Sequence, residues 1–183
     1  MTLIPGRRAL PPCRLRSGSG VHDRRAPARH PALGTVTPEG LPRVRTVVLR
    51  SVDRLTAHLE IHTDLNSAKV SELRATPFAA LHFWDEAGHL QIRLEAEAVI
   101  LSGPEVAEIW ARVPETSRLS YGITPQPGHQ IAGALDYSRK PDPMSFSVLR
   151  LKVTAIDVLH LGPDHRRAKF IRSDDWAGQW LAP

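Results

Sequence analysis

Residues 91–100 read QIRLEAEAVI, and their alternation decides the architecture. Ile92, Leu94, Ala96 and Ala98 fall on one side of an extended chain, Gln91, Arg93, Glu95 and Glu97 on the other. That is the period of a strand with one buried face. Upstream, FAALHFW (78–84) reads as a buried strand that DEAGH (85–89) turns back toward it. AHLEIH (57–62) alternates in the same way, and the polar connection 51–56 joins it in a hairpin to a strand over 43–50. ALGTV (32–36), SFSVLRLKVTAIDVLHL (145–161) and RRAKFIR (166–172) read as further strands.

Only two helices are expected. SAKVSELRA (67–75) has helical spacing in Val70 and Leu73 and ends before Pro77; SGPEVAEIWARV (102–113) opens with Pro104 in its first turn. Residues 114–143, rich in proline and glycine, read as one long loop region, a length that usually serves a site. Hairpin-linked strands with two helices predict a mainly β protein, an antiparallel β-barrel with flanking helices.

The chain of 183 residues carries a formal net charge of +5, and its distribution matters more than its sum. Residues 1–30 hold Arg7, Arg8, Arg14, Arg16, Arg24, Arg25 and Arg29 against Asp23, leaving a remainder close to neutral. The expectation is a flexible basic arm over 1–21 and a folded domain over 22–183, with nucleic acid an unlikely partner of the domain. Cys13 is the sole cysteine, which excludes an intrachain disulfide and a zinc site built on thiolates. No apolar run reaches the length of a membrane span and no signal-peptide core follows the N-terminus, so a soluble, cytoplasmic protein is expected. His58, Glu60 and His62 form H-x-E-x-H on one strand face, a pattern without the context of a strong zinc motif, and no metal is expected. Neither GxSxG nor GxGxxG occurs.

IHTDLNSAK (61–69) gathers hydroxyls, helix-opening N–H groups and a cation where a strand gives way to a helix, a combination suited to phosphate. Arg45, Arg50, Thr63, Ser67 and Lys69 are the candidates. Arg45 and Arg50 lie five apart, so an ideal strand aims them at opposite faces unless it twists or bulges. With no visible nucleophile, such a site points to a cofactor that brings its own chemistry.

RTVVLR (45–50), HTDLNSAK (62–69) and QIR (91–93), the last beginning 22 residues after Lys69, together resemble the pyridoxamine 5′-phosphate oxidase superfamily of FMN-binding split barrels. The bacterial oxidase-related branch is the most similar. HRRAKF (165–170) and WAGQWLAP (176–183) fit the same pattern, so the resemblance spans about residues 22–183.

The resemblance implies FMN as cofactor, held at the interface of a homodimer, and an oxidoreductase acting on a small molecule. Arg45, Thr46, Val47, Val48, Leu49 and Arg50 would line the flavin's ribityl phosphate and ring edge. His62 and Thr63 fall on the family's Tyr-Thr pair, Ser67 and Lys69 on its phosphate-binding Ser-x-Lys, and Gln91 on a glutamine touching the ring. Gln126 and Lys169 fall on residues that reach the flavin across the dimer. Arg50, Arg112, Ser117, His165 and Arg167 fall on or beside the substrate positions.

Several positions depart from the family. Ala68 stands for a phosphate-binding arginine, Leu159 for a tryptophan covering the flavin, Val113 for a substrate-phosphate arginine, and His165 with Arg167 for an Arg-x-His pair. The implied substrate is therefore one other than pyridoxamine 5′-phosphate. The rival readings are a flavin- or haem-binding protein without turnover, and a nucleic-acid binder working through the arm.

Overall fold

A computed structural model describes residues 27–183; the basic arm over 1–21 and its boundary with the domain lie outside the described residues. The strands are β1 (Ala32–Val36), β2 (Pro42–Thr46), β3 (Leu49–Asp53), β4 (His58–Asp64), β5 (Phe78–Asp85), β6 (Leu90–Ser102), β7 (Ile123–Thr124), β8 (Ser138–Arg139), β9 (Phe146–His160), β10 (Arg166–Ile171) and β11 (Gly178–Leu181). The helices are α1 (Ala68–Ala75), α2 (Ala107–Arg112) and α3 (Glu115–Arg118).

Every pairing is antiparallel, and the path β11-β10-β9-β6-β5-β1-β2 is joined by a β3-β4 hairpin that pairs with β9. β9 is the spine. One edge pairs along its length with β6; the other pairs first with β4 and then with β10. Alternation splits the side chains of its first half between two cores. Leu149, Leu151 and Val153 join Leu33, Leu49, Ile61, Leu81 and Leu94 in the barrel interior, while Phe146 and Val148 meet Val106, Val113 and Tyr121 outside it. Leu149 and Leu151 are fully buried, each contributing about 1.5–3 kcal/mol of transfer free energy. The strand 91–100 is as its alternation predicts: Ile92, Leu94 and Ala96 are buried between exposed Arg93, Glu95 and Glu97.

Three expectations need correction. The strand over 43–50 is two strands, because β2 pairs with β1 whereas β3 pairs with β4. At the switch Val47 leaves the ladder and donates its N–H to the Pro31 carbonyl at 3.0 Å. The helix over 102–113 is a 3-10 turn, Gly103–Val106, followed by the short α2. The region 114–143 is not wholly irregular: it holds α3 and the small β7-β8 hairpin. The C-terminal segment is also ordered, with β11 pairing onto β10.

Candidate functional site

Strand alternation sends His62 and Thr63 in opposite directions from the end of β4, and two adjacent clusters grow from them. Thr63 and Ser67 are buried, with hydroxyl oxygens 3.2 Å apart. Ser67 Oγ donates to the Asp64 carbonyl at 2.7 Å, so the proton between the two hydroxyls comes from Thr63. Lys69 Nζ then donates to Thr63 Oγ1 at 2.9 Å and to Ser67 Oγ at 3.1 Å. Ser67 is the residue before α1, so the first N–H groups of that helix open beside the same hydroxyls.

Arg45 approaches from β2. Its Nη2 meets Glu72 Oε2 at 2.8 Å, and Nη1 donates to Thr35 Oγ1, which itself donates to Glu72. Glu72 is buried on the inner side of α1, so the ion pair fixes Arg45 while cancelling its charge. Lys69 has no such counter-ion in bonding contact among the described residues. Burial first, and then Arg45, push its ammonium below the ordinary lysine range, against the pull of Asp64 and Glu72. A half-buried cation that is disfavoured as it stands, beside two hydroxyls and a helix start, fits an anion such as a phosphate monoester.

The second cluster surrounds Arg50. Leu49 pairs with Ile61 but Ser51 with Glu60, so Arg50 sits in a bulge that turns it toward His62. This resolves the five-residue parity: Arg45 and Arg50 serve different clusters. Arg50 Nε is buried and has no hydrogen-bond partner. His62 stacks edge-on to Phe146 with centroids 5.1 Å apart. Burial, reinforced by Arg50, lowers its pKa to about 4 against the opposing pull of Glu60, so the ring is neutral at pH 7. Tyr121 packs on Phe146 at 4.9 Å; burial raises its phenol pKa and the nearby Arg50 guanidinium pulls it back.

The remaining candidates lie apart from both clusters. Gln91 pairs with Leu159, which pairs in turn with Arg167, so the three share one row across β6, β9 and β10. Arg167 is already engaged. Its Nε and Nη2 contact buried Asp157 at 3.2 and 2.8 Å, and Arg93 reaches the same carboxylate at 2.9 Å. Lys169 pairs with Glu95 at 3.2 Å. Arg112 and His165 are exposed, Val113 is buried in the outer core, and Ser117 is half-buried at α3. Thr46 is exposed, Val48 half-buried, and Val47 and Leu49 lie in the barrel core. Gln126 is exposed in the segment after β7. Glu60 of the H-x-E-x-H stretch is held by Arg150 at 2.8 Å, and no group of three metal-ligating side chains occurs among the described residues.

Sequence reasoning missed Glu72, Asp64 and Tyr121. Asp64 is buried and accepts from the Asn66 N–H at 2.8 Å and the Gly122 N–H at 2.9 Å, clasping the cradle loop to the segment that carries Tyr121. An acid at the buried face of a helix and a second at a strand end were the available signals.

A mainly antiparallel split barrel with a lysine and two buried hydroxyls gathered at the β4-α1 junction is the class these observations define. The FMN-binding domain of pyridoxamine 5′-phosphate oxidase matches residues 14–102. A pyridoxine/pyridoxamine 5′-phosphate oxidase of Microcystis aeruginosa is 31% identical over 169 residues, covering 82% of this chain and 77% of the relative. The chain belongs to the pyridoxamine 5′-phosphate oxidase family. The counterpart in Gloeothece citriformis is 36% identical over 94 residues, but the match spans 51% of this chain and 43% of that protein. A crystal structure of a pyridoxamine 5′-phosphate oxidase-related, FMN-binding protein from Nostoc punctiforme superposes with a TM-score of 0.76 at 26% identity, covering 96% of this chain and 99% of that one. Among the described residues no helix is long and apolar enough to cross a membrane, which says nothing of a β-barrel.

Proposed function

We propose that the protein binds FMN at the interface of a cytoplasmic homodimer and works as an oxidoreductase on a small molecule other than pyridoxamine 5′-phosphate. The folded unit is residues 22–183. The observation that carries this reading is the Lys69 ammonium, half-buried on the Thr63 and Ser67 hydroxyls with no carboxylate of the described residues in bonding contact.

Thr63, Ser67 and Lys69 would hold the phosphate, with Arg45 fixed beside them by Glu72. Arg50, with a free buried Nε donor, and neutral His62 would meet the ring edge along the 45–50 segment, and Gln91 the ring itself. Gln126 and Lys169 would reach the cofactor across the two-fold axis. Bound FMN supplies reversible uptake of an electron pair. The chain supplies anchoring, ring electrostatics and exclusion of water.

The substrate positions support a compound without a phosphate group. Arg167 is tied to Asp157, Val113 turns a side chain into the outer core, and Arg112 is exposed, so no cationic pocket is gathered there. The test is the visible spectrum of the purified protein with identification of the released flavin, followed by reduction with NAD(P)H and oxygen uptake. FMN with turnover is the expected result. A colourless protein that binds neither FMN nor FAD overturns the cofactor assignment; tight FMN without any reduction leaves a binder.

A further inference from the structure

Residues 122–144 leave the domain between Tyr121 and Ser145, both buried, and none of the residues in between is buried. Both ends of this excursion are tied to the turn at 64–67. Where it begins, the Gly122 N–H donates to Asp64 Oδ2 at 2.9 Å; where it ends, the Leu65 N–H donates to the Ser145 carbonyl at 2.7 Å. The stem is also closed on itself, with the Asp142 N–H on the Tyr121 carbonyl at 3.1 Å. Gly122 adopts φ +100, and a Cβ there would collide with the Lys140 carbonyl oxygen, so this crossing demands glycine.

The same turn decides whether an anion can be held beside Lys69. Thr63 precedes it, Ser67 closes it and Lys69 follows it, so the three groups meet only when the turn is formed. Ser67 donates its N–H and its hydroxyl to the Asp64 carbonyl at 3.1 and 2.7 Å, and the Asn66 N–H meets Asp64 Oδ1 at 2.8 Å. Asp64 therefore builds the turn with its carbonyl and one carboxylate oxygen, and holds the excursion with the other. A ligand that binds only the closed turn raises the population of whatever the closed turn holds. The effect is reciprocal: fixing the excursion tightens the anion by the same factor.

We propose that the 64–67 turn couples the anion site to the excursion, so that an anion on Thr63, Ser67 and Lys69 fixes residues 122–144 and displacing the excursion weakens the anion. Gln126 lies on the excursion. Calling the coupling a regulation of cofactor binding rests on the flavin reading above; the coupling itself does not.

Hydrogen exchange on the full-length protein tests it, with any bound flavin first measured and removed, and with inorganic phosphate and FMN added separately. Phosphate has no ring to touch Gln126, so any protection it gives to 122–144 passes through the turn. Both ligands are expected to slow exchange across 122–144, and Lys69→Met to abolish the phosphate effect. Gly122→Ala, which is uncharged and outside the anion site, should weaken both ligands roughly fivefold or more. Asp64 carries its charge near Lys69, so charge alone predicts tighter anion binding in Asp64→Asn. Asparagine offers one acceptor oxygen to two N–H groups, and the coupling predicts weaker binding instead. Protection confined to 63–72, unchanged affinity in Gly122→Ala, or tighter binding in Asp64→Asn overturns the proposal. If either variant fails to fold, the exchange comparison on the parent chain decides alone. Phosphate that protects the excursion of a protein unable to bind FMN or FAD overturns the flavin reading and leaves the coupling standing. Bound FMN with an unmoved excursion does the reverse, and protection of neither region by either ligand overturns both.

Discussion

Replacing Lys69 with methionine should weaken the cofactor and strengthen the empty protein, an opposition of signs that few binding-site residues offer. Methionine keeps the stem and removes the ammonium. In the cofactor-free state that ammonium is unfavourable, since burial and Arg45 hold its pKa below 10.5. A lysine depressed in this way loses stability as pH falls through the unfolded value and stays penalised at pH 7. Removal leaves no stranded hydroxyl, because Thr63 still donates to Ser67 and Ser67 to the Asp64 carbonyl. With the phosphate bound, the same substitution deletes a charge-assisted hydrogen bond of about 1.5–3 kcal/mol, or roughly 10- to 100-fold in affinity. The assay pairs FMN titration by flavin fluorescence with thermal melting of the apoprotein. Affinity should fall by that factor while the apoprotein Tm holds or rises. Unchanged affinity, or an apoprotein Tm lowered by several degrees, would refute the assignment of Lys69 to the phosphate.

Three further outcomes are expected. Glu72→Gln leaves Arg45 without its counter-charge against a mostly buried site and should cost about 2–3 kcal/mol in urea unfolding; a cost near zero would show the pair to be incidental. His62 should remain neutral down to about pH 4 by NMR titration, and because its pKa is depressed, its contribution to stability should be complete above pH 6.5 and lost as pH falls toward 4; a His62→Gln variant whose acid-unfolding curve matches the parent in that window contradicts this. With pyridoxamine 5′-phosphate under air, kcat/KM should lie about 10²–10⁴ below that of an enzyme with an intact cationic pocket, the loss of two or more charge-assisted contacts; turnover at an ordinary metabolic rate would show that Arg112 and Arg167 rearrange.

What could be read beforehand follows from range. Alternation along 91–100 is set by each residue's own neighbours, so the strand and its buried face were legible. The Thr63, Ser67 and Lys69 grouping spans seven residues and was legible for the same reason. The break at Val47 was not, since RVRTVVLR is apolar enough for one strand and only the rival pairings with β1 and β4 divide it. Glu72 finds Thr35 and Arg45 at separations of 37 and 27 residues, and Asp64 finds Gly122 at 58, distances at which local patterns carry no information. The Asp157 fork on Arg167 was equally hidden, although it decides whether that arginine is available to a ligand.

The place of β9 in the barrel bears on how the chain is made. Its pairing with β4 brings Arg150 to Glu60 across 90 residues, and its other edge completes β6. A chain growing from its N-terminus therefore emerges with the outer edge of β4 and one edge of β6 unpaired until residue 160 is free. Non-local pairing of this kind folds slowly, and open edges invite association with other chains. A nascent chain that has emerged as far as Ser102 presents two such edges at once, so the hazardous interval in the life of this protein falls between emergence of the sixth strand and arrival of the ninth.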